Sequence, residues 1–361
     1  MPEVLLIKDY AQQPAAWAAA FADFDLEVRD WDAVFGGGDG GDGGDGDGDG
    51  VDGDGRGDGD GDGGDGDGDG VDGDGDGDSR GGRGAGALAP AEIDYALVWQ
   101  PAPGALARLP NLKLIFSLGA GIDHLAGDGV LPPGVPVLRM VDAQLTAGMT
   151  EYVVYHALRF HRAMPAYEAQ QRRAEWRLLP QVAAAERRIG ILGLGVLGGA
   201  AARALATLNF DVAGWSRGPK DLGIPSFAGA GELPALLART DILVCLLPLT
   251  AATAGILCAA NFARLPAGAC VINAGRGGHL LEADLLDALE RGHLAGAALD
   301  VFANEPLPPG NPLWSHPRVA ITPHAASKTL PASSARHVID NIRRFRAGRP
   351  VGPLADFARG Y

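Results

Sequence analysis

Residues 188–208 read RIGILGLGVLGGAAARALATL. The run Ile189–Leu192 is apolar and ends at glycine, which suits a strand buried on both faces. Gly193-Leu194-Gly195-Val196-Leu197-Gly198 follows with the spacing G-x-G-x-x-G, and an alanine-rich helix-forming stretch runs on to Leu208. Strand, tight turn and helix are the context this spacing requires. Gly193 allows the turn, Gly195 lets a pyrophosphate approach the backbone, and Gly198 lets helix and strand pack closely. The helix N-terminus then faces the phosphates of a bound dinucleotide, with Val196 and Leu197 in its first turn.

The end of the next strand, residues 210–215, selects between dinucleotides. A carboxylate there would bind a ribose 2′-hydroxyl. The sequence is instead Trp215-Ser216-Arg217-Gly218-Pro219-Lys220, with no acid before Asp221. Ser216, Arg217 and Lys220 suit a 2′-phosphate held by charge-assisted hydrogen bonds, the alternative being a solvated basic turn. The expected cofactor is NADPH, with NADH less favoured.

Outward from this unit the same rhythm continues. Strands are expected at 241–247, 269–273, 296–302 and 319–322, and upstream at 4–7, 26–31, 93–99, 112–118 and 135–140. Helices are expected at 14–24, 103–109, 144–164 and 327–346. Strands alternating with helices imply an α/β chain with parallel sheets. We expect two doubly wound parallel-sheet domains. Residues 1–144 form a flavodoxin-like substrate domain, and 145–325 form a Rossmann dinucleotide-binding domain. Residues 326–361 carry a C-terminal helix back to the substrate domain.

The chain has 361 residues and a formal charge of −15. Residues 36–78 hold 17 Asp against the single Arg56, which leaves a charge of about +1 for everything else. The unit GDGGDGDGDGVDGDG stands at 41–55 and again at 61–75. Such a segment has almost nothing apolar to bury and repels itself, so 36–86 is expected to be a disordered, dispensable insert. It lacks the glutamate of an EF-hand loop and the repeated apolar residue of a calcium-binding β-roll. The acidic balance and absence of a basic stripe argue against a nucleic-acid partner. The start MPEVLLIKDY is not expected to be a signal peptide, and the apolar runs are too short to span a bilayer. Cys245, Cys258 and Cys270 are odd in number and form no C-x-x-C pair, as expected of free thiols in the cytoplasm. No cluster has metal-ligand spacing.

Three further segments are INAGRG at 272–277, LDVFANEP at 299–306 and ITPH at 321–324. With the glycine loop, they make the chain resemble the D-isomer-specific 2-hydroxyacid dehydrogenases. More narrowly it resembles their glyoxylate/hydroxypyruvate reductase branch, through ALVWQP at 96–101, LGAGID at 118–123, GWSRGPK at 214–220, PLWSHPRVAITPH at 312–324 and the terminal ARGY. The resemblance spans nearly the whole chain apart from roughly 36–90. It implies reduction of a small 2-oxo acid, with hydride from NADPH and a proton from His324. Glu305 would orient His324 and favour its imidazolium form. Arg276 and the backbone N–H groups of Ala120 and Gly121 would bind the substrate carboxylate. Asp300 would accept from the nicotinamide carboxamide, Leu247 and Pro248 would lie along the cofactor, and Trp99 and Trp314 would wall the pocket. The other histidines receive no role. A homodimer using the segment 145–180 is also implied. Two other readings remain: a dehydrogenase for another 2-hydroxy acid, and a dinucleotide-sensing corepressor-type binding protein on the same fold.

Overall fold

The computed structural model describes residues 2–9, 11, 13–36, 88–126, 131–357 and 359–360. The expected insert, Gly36 aside, lies outside the described residues. Among those described, the first sheet contains β1 (Val4–Lys8), β2 (Glu27–Asp30), β3 (Tyr95–Val98), β4 (Leu114–Ser117) and β5 (Val137–Leu138), in the order β2-β1-β3-β4-β5. The second contains β6 (Arg188–Leu192), β7 (Asp211–Ser216), β8 (Ser226–Ala228), β9 (Ile242–Cys245), β10 (Ala269–Asn273), β11 (Leu294–Leu299) and β12 (Val319–Ile321). Its order is β12-β11-β10-β9-β6-β7-β8. Every pair in both sheets is parallel. This is the doubly wound α/β class expected. Strands such as Tyr95–Val98 and Ala269–Asn273 are buried at every residue, because crossover helices cover both faces.

The helix Ala143–His161 connects the two halves, and Asp142 caps it by accepting from Gln144 N–H at 3.2 Å. Its Leu145 packs with Leu97, Phe116 and Leu118 of the first half. One turn on, Met149, Val153 and Ala157 pack with Ile189, Ala201 and Leu205 of the second. The helix ends before Ala163, whose φ is +54°, and a separate helix, Met164–Arg172, follows. The helix expected over 144–164 thus stops at His161, and the residues that follow form a second, unexpected helix with Pro165 in its first turn.

The last helix begins at Pro331 rather than Ser327. Proline fits the first turn of a helix and disfavours helical backbone in the residue before it. Residues 327–330 tie the halves together instead: Ser327 Oγ donates to Leu145 O at 2.6 Å, and Thr329 Oγ1 donates to Leu118 O. Beyond them Ala335, Val338 and Ile342 pack with Trp17, Phe21 and Phe116. The helix expected at 103–109 is only the 3-10 turn Leu106–Arg108, and the edge strand β8 is too short to leave a period in the sequence. Among the described residues no helix is long and apolar enough to cross a membrane, and no group of acidic, histidine or cysteine side chains is arranged to hold a metal.

Candidate active site

Strands β6 and β9 are neighbours in the second sheet, and the strand order reverses there. At such a switch point the loops beyond the strand ends part and leave a crevice. Gly193 follows β6 with φ +102°. A Cβ on Gly198 would stand 1.8 Å from Gly193 O, so only glycine lets the helix Val196–Thr207 start this close to the turn. Space is open around Gly195. The result is a backbone cradle at a helix N-terminus, which fits a pyrophosphate. Leu247 (buried) and Pro248 (half-buried) follow β9 beside it. Ser216 ends β7 and donates through Oγ to Gly218 O at 2.7 Å. Arg217 and Lys220 are exposed on the same turn, and Lys220 N–H donates to Ser226 Oγ at 3.1 Å.

Both sheets direct the C-terminal ends of their strands to one place. His324 lies just beyond β12, and its Nδ1 is 2.7 Å from Glu305 Oε2. The other carboxylate oxygen, Oε1, accepts Phe302 N–H at 2.9 Å. A carboxylate only accepts, so Nδ1 carries a proton and Nε2 is left for other partners. Burial opposes ionisation of Glu305. The hydrogen bonds from His324 and Phe302, with the charges of His324 and Arg276, outweigh it and hold the carboxyl below its ordinary range.

His324 itself has φ +51°, a conformation the surroundings must hold. Asp300 supplies the hold. Its carbonyl accepts His324 N–H at 2.8 Å. Its buried carboxylate accepts Thr322 Oγ1 at 2.6 Å, Ala325 N–H at 2.8 Å and Ala326 N–H at 2.9 Å. Thr322 thus spends its proton on Asp300, so Tyr152 Oη donates to Thr322 Oγ1, at 2.9 Å. Burial raises the Asp300 pKa above its ordinary value despite these donors.

Arg276 follows β10 and crosses to the first half. Its Nε lies 2.9 Å from both oxygens of Asp123, and Nη1 donates to Gly275 O at 2.8 Å. A Cβ on Gly121 would stand 2.2 Å from Nη2, so the guanidinium lies directly on the Gly121 backbone. Burial pushes the Asp123 pKa up, but the Arg276 charge and hydrogen bond prevail and lower it. Asp123 was not singled out from the sequence, although it lies only two residues past Gly121 in LGAGID.

Trp99 follows β3. Its ring meets His324 edge-on with centroids 5.7 Å apart, and lies 4.5 Å from His124. Burial pushes the His124 pKa down to about 4, so this ring is a neutral wall behind Trp99. Trp314 does not join this cluster among the described contacts. It is 51% exposed, and its indole N–H donates to Pro308 O at 3.0 Å. Two buried or half-buried histidines, His124 and His279, thus stand beside the site, where sequence reasoning saw no role for them. A lone histidine in an apolar stretch carries no local signal of what it will face.

Comparison with known proteins agrees with this architecture. Residues 154–326 match the family model described as D-isomer specific 2-hydroxyacid dehydrogenase, NAD binding domain. A Yersinia enterocolitica protein named glyoxylate/hydroxypyruvate reductase A is 49% identical over 275 residues, covering 74% of this chain and 88% of that protein. A D-isomer specific 2-hydroxyacid dehydrogenase from Xanthobacter autotrophicus Py2, solved with NADPH and MES, superposes with TM-score 0.81 at 39% identity over 100% of both chains. An NADPH-dependent glyoxylate/hydroxypyruvate reductase from Sinorhizobium meliloti, solved with NADP and sulfate, gives 0.79 at 37% identity, over 99% of this chain and 100% of that one. From its two parallel sheets, its glycine loop and this likeness over most of its length, the chain belongs to the D-isomer specific 2-hydroxyacid dehydrogenase family.

Proposed function

We propose that this chain reduces small 2-oxo acids such as glyoxylate and hydroxypyruvate with NADPH. The observation that carries the reading is the His324–Glu305 pair standing with Arg276 and the Gly119–Gly121 backbone where both sheets end. The relatives named for this reduction support the choice of substrate. The substrate carboxylate lies on the Arg276 guanidinium and the backbone N–H groups of Ala120 and Gly121. Arg276 also polarises the carbonyl. His324 protonates the carbonyl oxygen from Nε2, and Glu305 keeps the ring oriented and favours its charged form. NADPH, when bound, supplies the hydride. Gly193, Gly195, Val196, Leu197 and Gly198 hold its pyrophosphate, Leu247 and Pro248 flank it, and Asp300 turns its carboxamide through the remaining capacity of Oδ2. Trp99 walls the pocket, and Trp314 is kept as a second lining residue on the family resemblance. The divisions 1–144, 145–325 and 326–361 go with this reading, supported by separate hydrophobic cores around the two sheets. A homodimer is part of it too. Tyr155, Leu158, Met164, Trp176 and Leu178 expose apolar surface along the long helix and the arm after it, and apolar surface grouped in this way favours association. Cytoplasmic location is supported by three free cysteines.

A panel of 2-oxo acids run with NADPH and NADH tests the function. Glyoxylate and hydroxypyruvate should lead, with NADPH preferred, and equal use of NADH would contradict the cofactor assignment. Arg217→Ala removes a cation facing the 2′-phosphate. It should raise KM for NADPH about tenfold and leave KM for NADH nearly unchanged, the size of a lost charge-assisted hydrogen bond.

Pocket size supplies a second check. Trp99→Ala opens the wall beside His324, so branched and aromatic 2-oxo acids should gain on glyoxylate in kcat/KM. An unchanged ranking, or phenylpyruvate as the parent's best substrate, would remove Trp99 from the pocket.

A further inference from the structure

His279 is 0% exposed and lies under the loop that carries Arg276. Its ring joins two loops of the site. Arg276 N–H donates to Nδ1 at 3.0 Å, and Nε2 is 3.2 Å from Pro248 O. An N–H needs a bare nitrogen and a carbonyl needs a donor. Nδ1 is therefore unprotonated and Nε2 carries the hydrogen, which makes the ring neutral in a single tautomer. Burial lowers its pKa, and the charge of Arg276 acts in the same direction, which favours the neutral ring. The ring packs against Gly275, where a Cβ would stand 3.0 Å from Nδ1 and 3.1 Å from Leu247 O. The backbone of His279 closes the same turn by donating to Arg276 O at 3.2 Å.

The two side-chain bonds are not equivalent. Pro248 O has a second donor, Thr253 Oγ1 at 2.7 Å, and stays satisfied without His279. Among the described hydrogen bonds, Arg276 N–H donates only to the His279 ring. Removing Nδ1 would leave a part-buried N–H without its acceptor at the residue whose side chain must reach Gly121 and Asp123 across the cleft.

We propose that His279 is a positioning residue for Arg276: Nδ1 holds the Arg276 backbone so that the guanidinium meets the substrate carboxylate. The proposal rests on the carboxylate-binding role given to Arg276 above. Three variants of the full chain test it. His279→Asn places its side-chain oxygen where Nδ1 stands and restores the acceptor. His279→Gln reaches the Nε2 position and restores only the bond to Pro248. His279→Ala restores neither.

KM for glyoxylate should rise about tenfold in the alanine and glutamine variants, the scale of one unsatisfied donor, and return to within about threefold of the parent in the asparagine variant. KM for NADPH should stay within about twofold throughout. A ring that merely fills the core predicts the reverse order, because glutamine replaces its volume better than asparagine. Glutamine outperforming asparagine, or both KM values rising together, would overturn the proposal. If the alanine variant does not fold, the asparagine–glutamine pair still decides. The parent's turnover of glyoxylate tests the functional reading separately. Binding of oxamate, an unreactive carboxylate, should rank the variants identically without turnover. A parent that bound no oxamate would remove both the carboxylate site and the role of His279 in building it.

Discussion

His324→Ala should lower kcat by roughly 10²–10⁴-fold, the usual effect of a lost general acid, with NADPH binding retained. Reduction places negative charge on the carbonyl oxygen, and that charge needs a proton as hydride arrives. Among the described side chains, His324 has its Nδ1 committed to Glu305 at 2.7 Å and its Nε2 on the side away from that bond. The cofactor cradle lies at the ends of β6 and β9, away from this ring, so dinucleotide affinity is a fair internal control. Near-parent kcat in the variant would end the mechanism, whatever the family.

The partner gives a directional pH test. Glu305 has a pKa below its ordinary range, so its negative charge is present across neutral and mildly acid pH. That charge stabilises the imidazolium. Glu305→Gln removes it, so the alkaline limb of the reduction profile should move to lower pH. An unmoved alkaline limb would mean that the carboxylate does not act through the histidine. The profile separates this role from a merely structural one, which would lower the rate at all pH values alike.

Arg276→Ala should damage both constants, lowering kcat by about 10²–10³-fold and raising KM for the 2-oxo acid, because the guanidinium acts on the carboxylate before reaction and on the carbonyl oxygen during it. Arg276→Lys should rescue little, since a point charge cannot replace the planar fork on the Gly121 backbone. The neighbour deepens the defect. Arg276 pairs with Asp123 at 2.9 Å and lowers its pKa, and without the guanidinium Asp123 is left unpaired beside the substrate's own carboxylate. Asp123→Asn in the Arg276→Ala background should therefore recover part of the KM. Arg276→Ala with unchanged KM would assign carboxylate binding elsewhere.

The glycine loop is legible in the sequence because its demands are local. A G-x-G-x-x-G turn is set by φ at Gly193 and by the 1.8 Å approach that a Cβ at Gly198 would make, both within one short loop. Helix boundaries were less legible. Ala143–His161 and Met164–Arg172 are set apart by the left-handed backbone of Ala163, which no residue there announces. The last helix starts at Pro331 and not at 327, because the hydroxyls of Ser327 and Thr329 bond Leu145 O and Leu118 O, contacts that leave no local pattern.

From residue order alone came the α/β class, the dinucleotide loop and the basic turn after β7, while the resemblance to a known family pointed to His324, Glu305 and Arg276. Backbone preference, side-chain chemistry and motif spacing act over a few residues and survive in the linear text. Tertiary structure decided what those groups face. Arg276 pairs with Asp123 at a separation of 153 residues, Trp99 meets His324, His279 supports the Arg276 backbone, and Trp314 stays half exposed. Such contacts depend on how two separately wound sheets meet along their C-terminal edges. A few ångströms of displacement there breaks a hydrogen bond while leaving every local pattern intact.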